Sequence, residues 1–316
     1  MIENSKLAII GAGSVGSSLA YAALIRGSAR EIALYDVDAA RAEAEVLDLS
    51  HGSPFTGATV VSGGGDISVV ADANVVVITA GAKQLPGQTR LDLAGVNARI
   101  LESLLPTLVE LAPRAVFILV TNPCDVLTVK AETLVDLPPG RIFSSGTVLD
   151  SARLRWLVAS AAGVAPASVH AAIIGEHGDT EFPLWSQAKI GPTPLAEWAG
   201  ADGLPLFTEE VRSRLHHEVV NSAYTVIEGK GATNYAIGLS AARIVEAILR
   251  DEKAVLPVSS LLRGYRGLDG VALSVPSVVG SRGVERLLEV PMDTRELAQF
   301  HASAAALRAS ATALGF

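Results

Sequence analysis

Lys6-Leu7-Ala8-Ile9-Ile10-Gly11-Ala12-Gly13-Ser14-Val15-Gly16 is the stretch that decides the fold. A short apolar run, residues 6–10, reads as a strand and feeds directly into a G-x-G-x-x-G turn, after which residues 17–26 read as a helix. Each glycine has its own reason to be there. Gly11 permits the tight turn, Gly13 lets a pyrophosphate approach the backbone, and Gly16 allows close packing of helix on strand, with the helix N-terminus facing the anion. A second strand, residues 31–35, ends in Asp36, twenty residues after Gly16. A carboxylate there accepts hydrogen bonds from both ribose hydroxyls and repels a 2′-phosphate, so the pattern favours NAD over NADP. Gly11, Gly13, Val15, Gly16 and Asp36 are the candidate cofactor-binding residues.

Outward from this unit, residues 37–49 and 97–111 read as helices and residues 59–61, 75–79 and 116–120 as strands with purely apolar interiors. That alternation predicts an α/β chain whose first part, residues 1–145, is a doubly wound parallel sheet of the Rossmann type, with ligands at the C-terminal strand ends. The remainder, residues 146–316, reads as a mixed α+β substrate domain. Its helical patterns lie at 208–228 and 238–250, and two antiparallel strands at 255–262 and 271–279 flank a turn over 263–270. Asp293-Thr294-Arg295-Glu296 has the form of a helix start, with a carboxylate at the third helical position.

Composition narrows the function. Of 316 residues, 49% are hydrophobic and 18% charged, which excludes a disordered chain and provides core enough for about two domains. The mean hydropathy is high at +0.39, yet apolar runs such as residues 74–82 fall short of the roughly 20 residues a spanning helix needs. The first six residues lack the basic leader and apolar segment of an export signal, so the expected compartment is the cytoplasm. The single cysteine, Cys124, excludes an intrachain disulfide and a multi-cysteine metal site, and redox chemistry must then come from a cofactor. Nothing basic beside it in sequence lowers its pKa, so Cys124 reads as structural. With 33 acidic and 25 basic residues and no basic cluster, the chain has no nucleic-acid footprint. A small molecule is the expected ligand.

Four segments carry polar chemistry. Residues 81–90 (GAKQLPGQTR) are polar, contain Pro and Gly, and sit between a strand and a helix, as a mobile lid would. Thr121-Asn122-Pro123-Cys124-Asp125 follows another strand, and Asn122 can both donate and accept. In the helix opened by residues 145–155, Asp150 and Arg153 share one face, a spacing that fits an intrahelical ion pair as well as a site. Ala171-Ala172-Ile173-Ile174-Gly175-Glu176-His177-Gly178-Asp179 delivers a histidine into a glycine-framed turn. Taken alone, a histidine beside an apolar run such as His177 is more often a hydrogen-bonded structural residue than a catalytic one. His216 and His217 are adjacent on a helix and point in different directions, so they share no metal; none is expected in this chain.

In combination, GAGSVG, TNPCD, LDSARLR, GEHGD and KGATNYAIG stand in the order found in the L-2-hydroxyacid dehydrogenases of the lactate/malate family. The chain resembles that family from Lys6 to its C-terminal helix, most of all its bacterial L-lactate dehydrogenases. The resemblance implies reversible NADH-dependent reduction of pyruvate to L-lactate. It makes His177 the proton donor and acceptor, Asp150 the carboxylate that orients it, and Arg153 the guanidinium fork on the substrate carboxylate. Arg90, on the lid, would polarise the carbonyl where negative charge develops. Asn122 would lie near the carbonyl oxygen and the cofactor, and Thr233 on the far side of the substrate. Gln84 stands where relatives acting on malate carry an arginine. Oxaloacetate would bring a second carboxylate into a closed pocket with no cation to meet it, a cost of about 3 to 5 kcal/mol. The neighbouring Lys83 could offset this through a shift in register.

The resemblance also implies an effector site. Arg155 and His170 match the phosphate ligands of relatives activated by fructose 1,6-bisphosphate at a subunit interface, in a homo-oligomer expected to be a tetramer. A surface arginine and a packed histidine describe the same residues equally well. The alternatives are a malate or other L-2-hydroxyacid dehydrogenase, an NAD-using glycosidase, which would need Cys and His metal ligands, and a non-catalytic nucleotide-binding protein.

Overall fold

The computed structural model describes residues 4–82 and 90–316, the side chains of Arg90 and Leu91 excepted. Gln84 and the rest of the lid stretch 83–89 lie outside the described residues. The first half runs β1 (Lys6–Ile10), α1 (Ser14–Arg26), β2 (Glu31–Tyr35), α2 (Ala39–His51), β3 (Val60–Gly64), β4 (Val75–Ile78), α3 (Arg90–Leu111), β5 (Val116–Leu119), α4 (Cys124–Leu134) and β6 (Ile142–Ser144). The six strands pair in parallel in the order β3-β2-β1-β4-β5-β6. The order reverses between β1 and β4, the switch point at whose C-terminal strand ends such sheets bind their ligands.

The interiors of β1, β2, β4 and β5 are apolar because both faces of the sheet are covered there. Leu7, Ile9, Ile32, Leu34, Val75 and Val77 point to one side, under α1 and a later helix of the second half, while Ala8, Ile10, Val76 and Ile78 point to the other, under α3 and α4. The glycine turn after β1 follows the logic of its sequence. Gly11 has φ +105°, and a Cβ on Gly16 would stand 1.9 Å from the Gly11 carbonyl oxygen, so neither position accepts a side chain.

The second half contains α5 (Val148–Ala162), then the short strands β7 (Val169–His170), β8 (Ile173–Ile174), β9 (Phe182–Pro183), β10 (Lys189–Ile190) and β11 (Thr193–Pro194). It continues with α6 (Glu209–Lys230), α7 (Tyr235–Leu249), β12 (Ala254–Tyr265), β13 (Leu268–Gly280), β14 (Gly283–Leu287) and α8 (Thr294–Ala313). β8 pairs with β9, and β7, β10 and β11 form a three-stranded sheet. The antiparallel β12-β13-β14 meander extends the parallel sheet through a contact between Ser144 and Ser259, giving nine strands.

Three details depart from the sequence reading. The hairpin turn is confined to Arg266 and Gly267, both at positive φ, and two irregularities of register let β12 and β13 run through positions expected to be loop. α4 begins immediately after Pro123 and was not foreseen, because its first turn is buried on all sides and shows no polar face. β6 has only three residues, too few to display a period. The helix start at Asp293 has the expected capping box, with the Asp293 and Glu296 side chains each bonded to the other's backbone N–H. Among the described residues no helix is long and apolar enough to cross a membrane.

Candidate active site

The His177 turn joins β8 to β9, and its glycine frame is structural. Gly175 has φ +93°, and a Cβ there would stand 2.9 Å from the Ser303 hydroxyl oxygen. That hydroxyl accepts the Glu176 N–H at 2.8 Å and so ties the turn to α8. The turn lies over the start of α5, where Thr147 Oγ1 donates to the Ile173 carbonyl at 2.6 Å.

This packing sets His177 Nδ1 2.7 Å from Asp150 Oδ2, and Arg153 donates to the other Asp150 oxygen, Oδ1, at 2.7 Å. The spacing of Asp150 and Arg153 is thus both an intrahelical ion pair and part of a histidine site. The Asp150 side chain is 2% exposed, Arg153 17% and His177 26%, so the carboxylate is sealed while the two cationic groups reach toward the open side. Burial disfavours the imidazolium, but the Asp150 charge and hydrogen bond outweigh it and push His177 up to about 9. Burial likewise raises Asp150, and His177 with Arg153 more than reverses this, holding the carboxyl below its usual range.

Two carboxyls join the site that sequence reasoning left out. Asp125, at the head of α4, accepts the backbone N–H of His177 at 2.6 Å. It is fully buried, and desolvation raises it to about 6 against the pull of Ser259 and His177. Glu181 is also buried, with Oε2 3.9 Å from His177 Nδ1. The signals were present: Asp125 closes TNPCD, and Glu181 is a carboxylate set directly against the apolar β9. Each was outweighed by a more familiar neighbour. Asp150, His177 and Glu181 offer three ligand atoms within 4.8 Å of one another. Both Asp150 oxygens are occupied by cationic donors, so the group is organised for protons. Cys124 is buried, and burial next to Asp125 pushes its thiol well above the ordinary range, in keeping with a structural role.

Across the sheet, the nucleotide elements stand as their residues require. α1 begins without a side-chain cap after Gly13, and nothing lies within 4 Å of a Cβ built on Gly13, so first-turn N–H groups face open space. Val15 is half-buried in that first turn. Asp36 accepts the Ala12 N–H through Oδ2 at 2.7 Å and the Asp38 N–H through Oδ1 at 3.0 Å. This holds the carboxylate beside the glycine turn, and the residues present fit a dinucleotide.

Asn122 is exposed after β5, and its carbonyl accepts from buried Asn97 at 2.7 Å, while Asn97 Oδ1 accepts the Ala82 N–H at 2.8 Å. One amide therefore joins the ends of β4 and β5, a link the sequence did not disclose. Arg90 is the first residue of α3, and its side chain lies outside the described residues. Thr233 is half-buried just ahead of α7, next to Asn234, which donates to Ser18 on α1 at 2.9 Å. Arg155 donates to the Pro166 carbonyl at 3.4 Å, ahead of β7, where His170 is exposed opposite Lys189. His177, Asp150 and Arg153 are thus brought together, and among the hydrogen bonds of the described residues none connects Arg155 with His170.

Comparison with known proteins agrees over the whole chain. Residues 5–144 match the family model described as lactate/malate dehydrogenase, NAD binding domain, and residues 147–314 match the lactate/malate dehydrogenase, alpha/beta C-terminal domain. An L-lactate dehydrogenase of Bifidobacterium animalis subsp. lactis (strain AD011) is 51% identical over 315 residues, covering 100% of this chain and 98% of that one. Another from Synechococcus sp. (strain JA-3-3Ab) is 48% identical over 307 residues, covering 96% and 97%. Among solved structures, MGS-M5, a lactate dehydrogenase from a Medee basin deep-sea metagenome library, superimposes with a TM-score of 0.95 at 35% identity, covering 100% of both chains. The ligand-bound minor L-lactate dehydrogenase from Enterococcus mundtii gives 0.93 at 39% identity and 98% coverage of each. An uncapped helix behind a glycine turn, an acid beside it and a histidine paired with a buried carboxylate thus belong to one design: the chain is an NAD-dependent oxidoreductase of the lactate/malate dehydrogenase family.

Proposed function

We propose that the chain interconverts pyruvate and L-lactate, with His177 as proton donor and acceptor. The observation that carries this reading is the bonding of one carboxylate, Asp150, to both His177 Nδ1 and Arg153. With Nδ1–H held by Asp150, Nε2 is the imidazole atom left to exchange a proton with the substrate oxygen. An imidazolium raised to about 9 is protonated at neutral pH, the state a keto acid requires of its donor. Arg153 has donors left after bonding Asp150, and these bind the substrate carboxylate and fix the distance from there to the reacting carbonyl. Gly11, Gly13, Val15, Gly16, Asp36 and Asn122 would hold NADH, which would supply the hydride when bound. Arg90 is assigned to polarise the carbonyl and Thr233 to line the far side of the substrate. The neutral Gln84, read from the family resemblance, would leave the second carboxylate of a dicarboxylate without a cation.

The assembly extends this reading. Tyr21 and Ile25 are exposed on α1, and Tyr235 and Leu239 on α7, which packs against it. The resulting apolar face supports a homo-oligomer, a tetramer in our reading. Arg155 and His170 are assigned to fructose 1,6-bisphosphate, whose phosphates would relieve repulsion between cationic groups brought together in the assembly. We place the division between cofactor and substrate domains at 145/146 and the enzyme in the cytoplasm, in lactate-forming glycolysis. Steady-state rates with NADH and either pyruvate or oxaloacetate test the substrate assignment. Equal turnover of the two at equal low concentrations contradicts it.

A further inference from the structure

Glu181 is a buried acid that the proton transfer proposed above does not use. It precedes β9, four residues after His177, and is 4% exposed. Its main chain is fixed on both sides. The N–H donates to the Gly178 carbonyl at 3.3 Å, and the carbonyl is bonded by His216 Nε2 at 2.9 Å. One carboxyl oxygen of Glu181, one of Asp150 and His177 Nδ1 all lie within 4.8 Å of one another.

The charged groups around this carboxyl come from four elements: Asp150 and Arg153 on α5, His177 on the same turn, Asp125 on α4 and His216 on α6. Among the described residues no lysine or arginine nitrogen comes within 4.0 Å of the Glu181 carboxyl. With His177 and Arg153 charged and Asp125 and Asp150 ionised, two cations already balance two carboxylates. An ionised Glu181 would add an unbalanced negative charge, buried against another carboxylate, and neighbouring carboxyls in that position hold a proton between them.

We propose that Glu181 is a positioning residue that carries a proton at neutral pH and donates it in a hydrogen bond to Asp150, keeping that carboxylate aligned with the His177 imidazole. The site is then a chain of three, Glu181 to Asp150 to His177. Burial and the adjacent Asp150 push Glu181 up to about 9, in agreement with that arrangement. Glu181 is assigned no contact with substrate or cofactor. It acts through Asp150, whose charge it partly shares, so that the imidazolium is not held too tightly to release its proton.

The proposal rests on the assignment of His177 as proton donor, but its first test requires no turnover. Infrared difference spectra of the wild type against Glu181→Gln at pH 7.5 should contain the C=O stretch of a protonated carboxylic acid, shifted in heavy water and lost in the variant. Absence of that band overturns the proposal and leaves the assignment of His177 untouched. Kinetics supply the second test. Glu181→Gln keeps a donor facing Asp150 and Glu181→Leu does not, so kcat for keto-acid reduction should be about tenfold higher in the first than in the second, with KM less affected. The alkaline limb of kcat/KM should also differ between the two variants. Equal kcat values and superimposable pH profiles overturn the positioning role, and if the leucine variant does not fold, the spectra decide.

Discussion

Replacing Asp150 by Asn removes the charge that faces both His177 Nδ1 and Arg153. The carboxylate 2.7 Å from Nδ1 becomes a neutral amide of the same shape, while the burial of the imidazole is unchanged. His177 stands at about 9 against an ordinary value of 6.5 because Asp150 outweighs desolvation. That rise corresponds to about 3 kcal/mol favouring the imidazolium. Without the carboxylate, desolvation is opposed only by the weaker contributions of Glu181 and Asp125, and the pKa falls back toward the ordinary 6.5. At pH 8 the protonated fraction then drops from about nine-tenths to about three-hundredths, so kcat/KM for pyruvate reduction falls about 30-fold from protonation alone. Loss of the preferred tautomer and of the Arg153 partner deepens the loss. The assay is NADH oxidation from pH 5.5 to 10, for which the alkaline midpoint should move down by two units or more in Asp150→Asn. Lactate oxidation, which needs neutral His177, should reach its plateau at correspondingly lower pH. An alkaline midpoint that stays within half a unit of the wild type refutes the pairing of Asp150 with His177 as the origin of the titration.

Gln84→Arg should shift the ratio of kcat/KM values toward oxaloacetate by two orders of magnitude or more, since about 3 to 5 kcal/mol rides on pairing the second carboxylate; competing rates at low substrate check this. Fructose 1,6-bisphosphate should lower the apparent KM for pyruvate, and Arg155→Gln or His170→Ala should abolish the effect; superimposable saturation curves would remove the effector site. Asp125 has its folded pKa raised from 3.8 to about 6, so its stabilising contribution is present below about pH 4 and is lost as pH rises through 6. That one group accounts for a decline of about 3 kcal/mol. Asp125→Asn should flatten stability between pH 4 and 7 in urea unfolding, and an unchanged slope would refute the buried titration.

Much of the nucleotide half was legible because its physics is local. A strand feeding a glycine turn can be read from neighbouring residues, and the clash at Gly16 explains why no other residue serves. Asp36 was legible for the same reason, as the polar end of an apolar strand. The substrate half was less open. His177, Asp150 and Arg153 could be named from motif order, but the contact that joins them depends on the β8–β9 turn docking on α5, which no local pattern encodes. Asp125, Glu181 and Asn97 escaped because a buried polar side chain is written with the same letter as an exposed one. Only the fold reveals that Asp125 accepts a main-chain N–H from the histidine turn, or that Asn97 spans the ends of two strands. The short strands β7 to β11 are too brief for periodicity, and the hairpin of β12 and β13 exceeded its apolar core because register irregularities let polar residues remain paired.

The most direct measurement is NADH oxidation by the purified wild-type chain with pyruvate, with the product resolved by chirality and oxaloacetate run in parallel. The expected result is stoichiometric L-lactate, a kcat/KM for pyruvate at least tenfold above that for oxaloacetate, and loss of turnover in His177→Ala. Equal or faster turnover of oxaloacetate, or a His177→Ala variant as active as the wild type, would contradict the account.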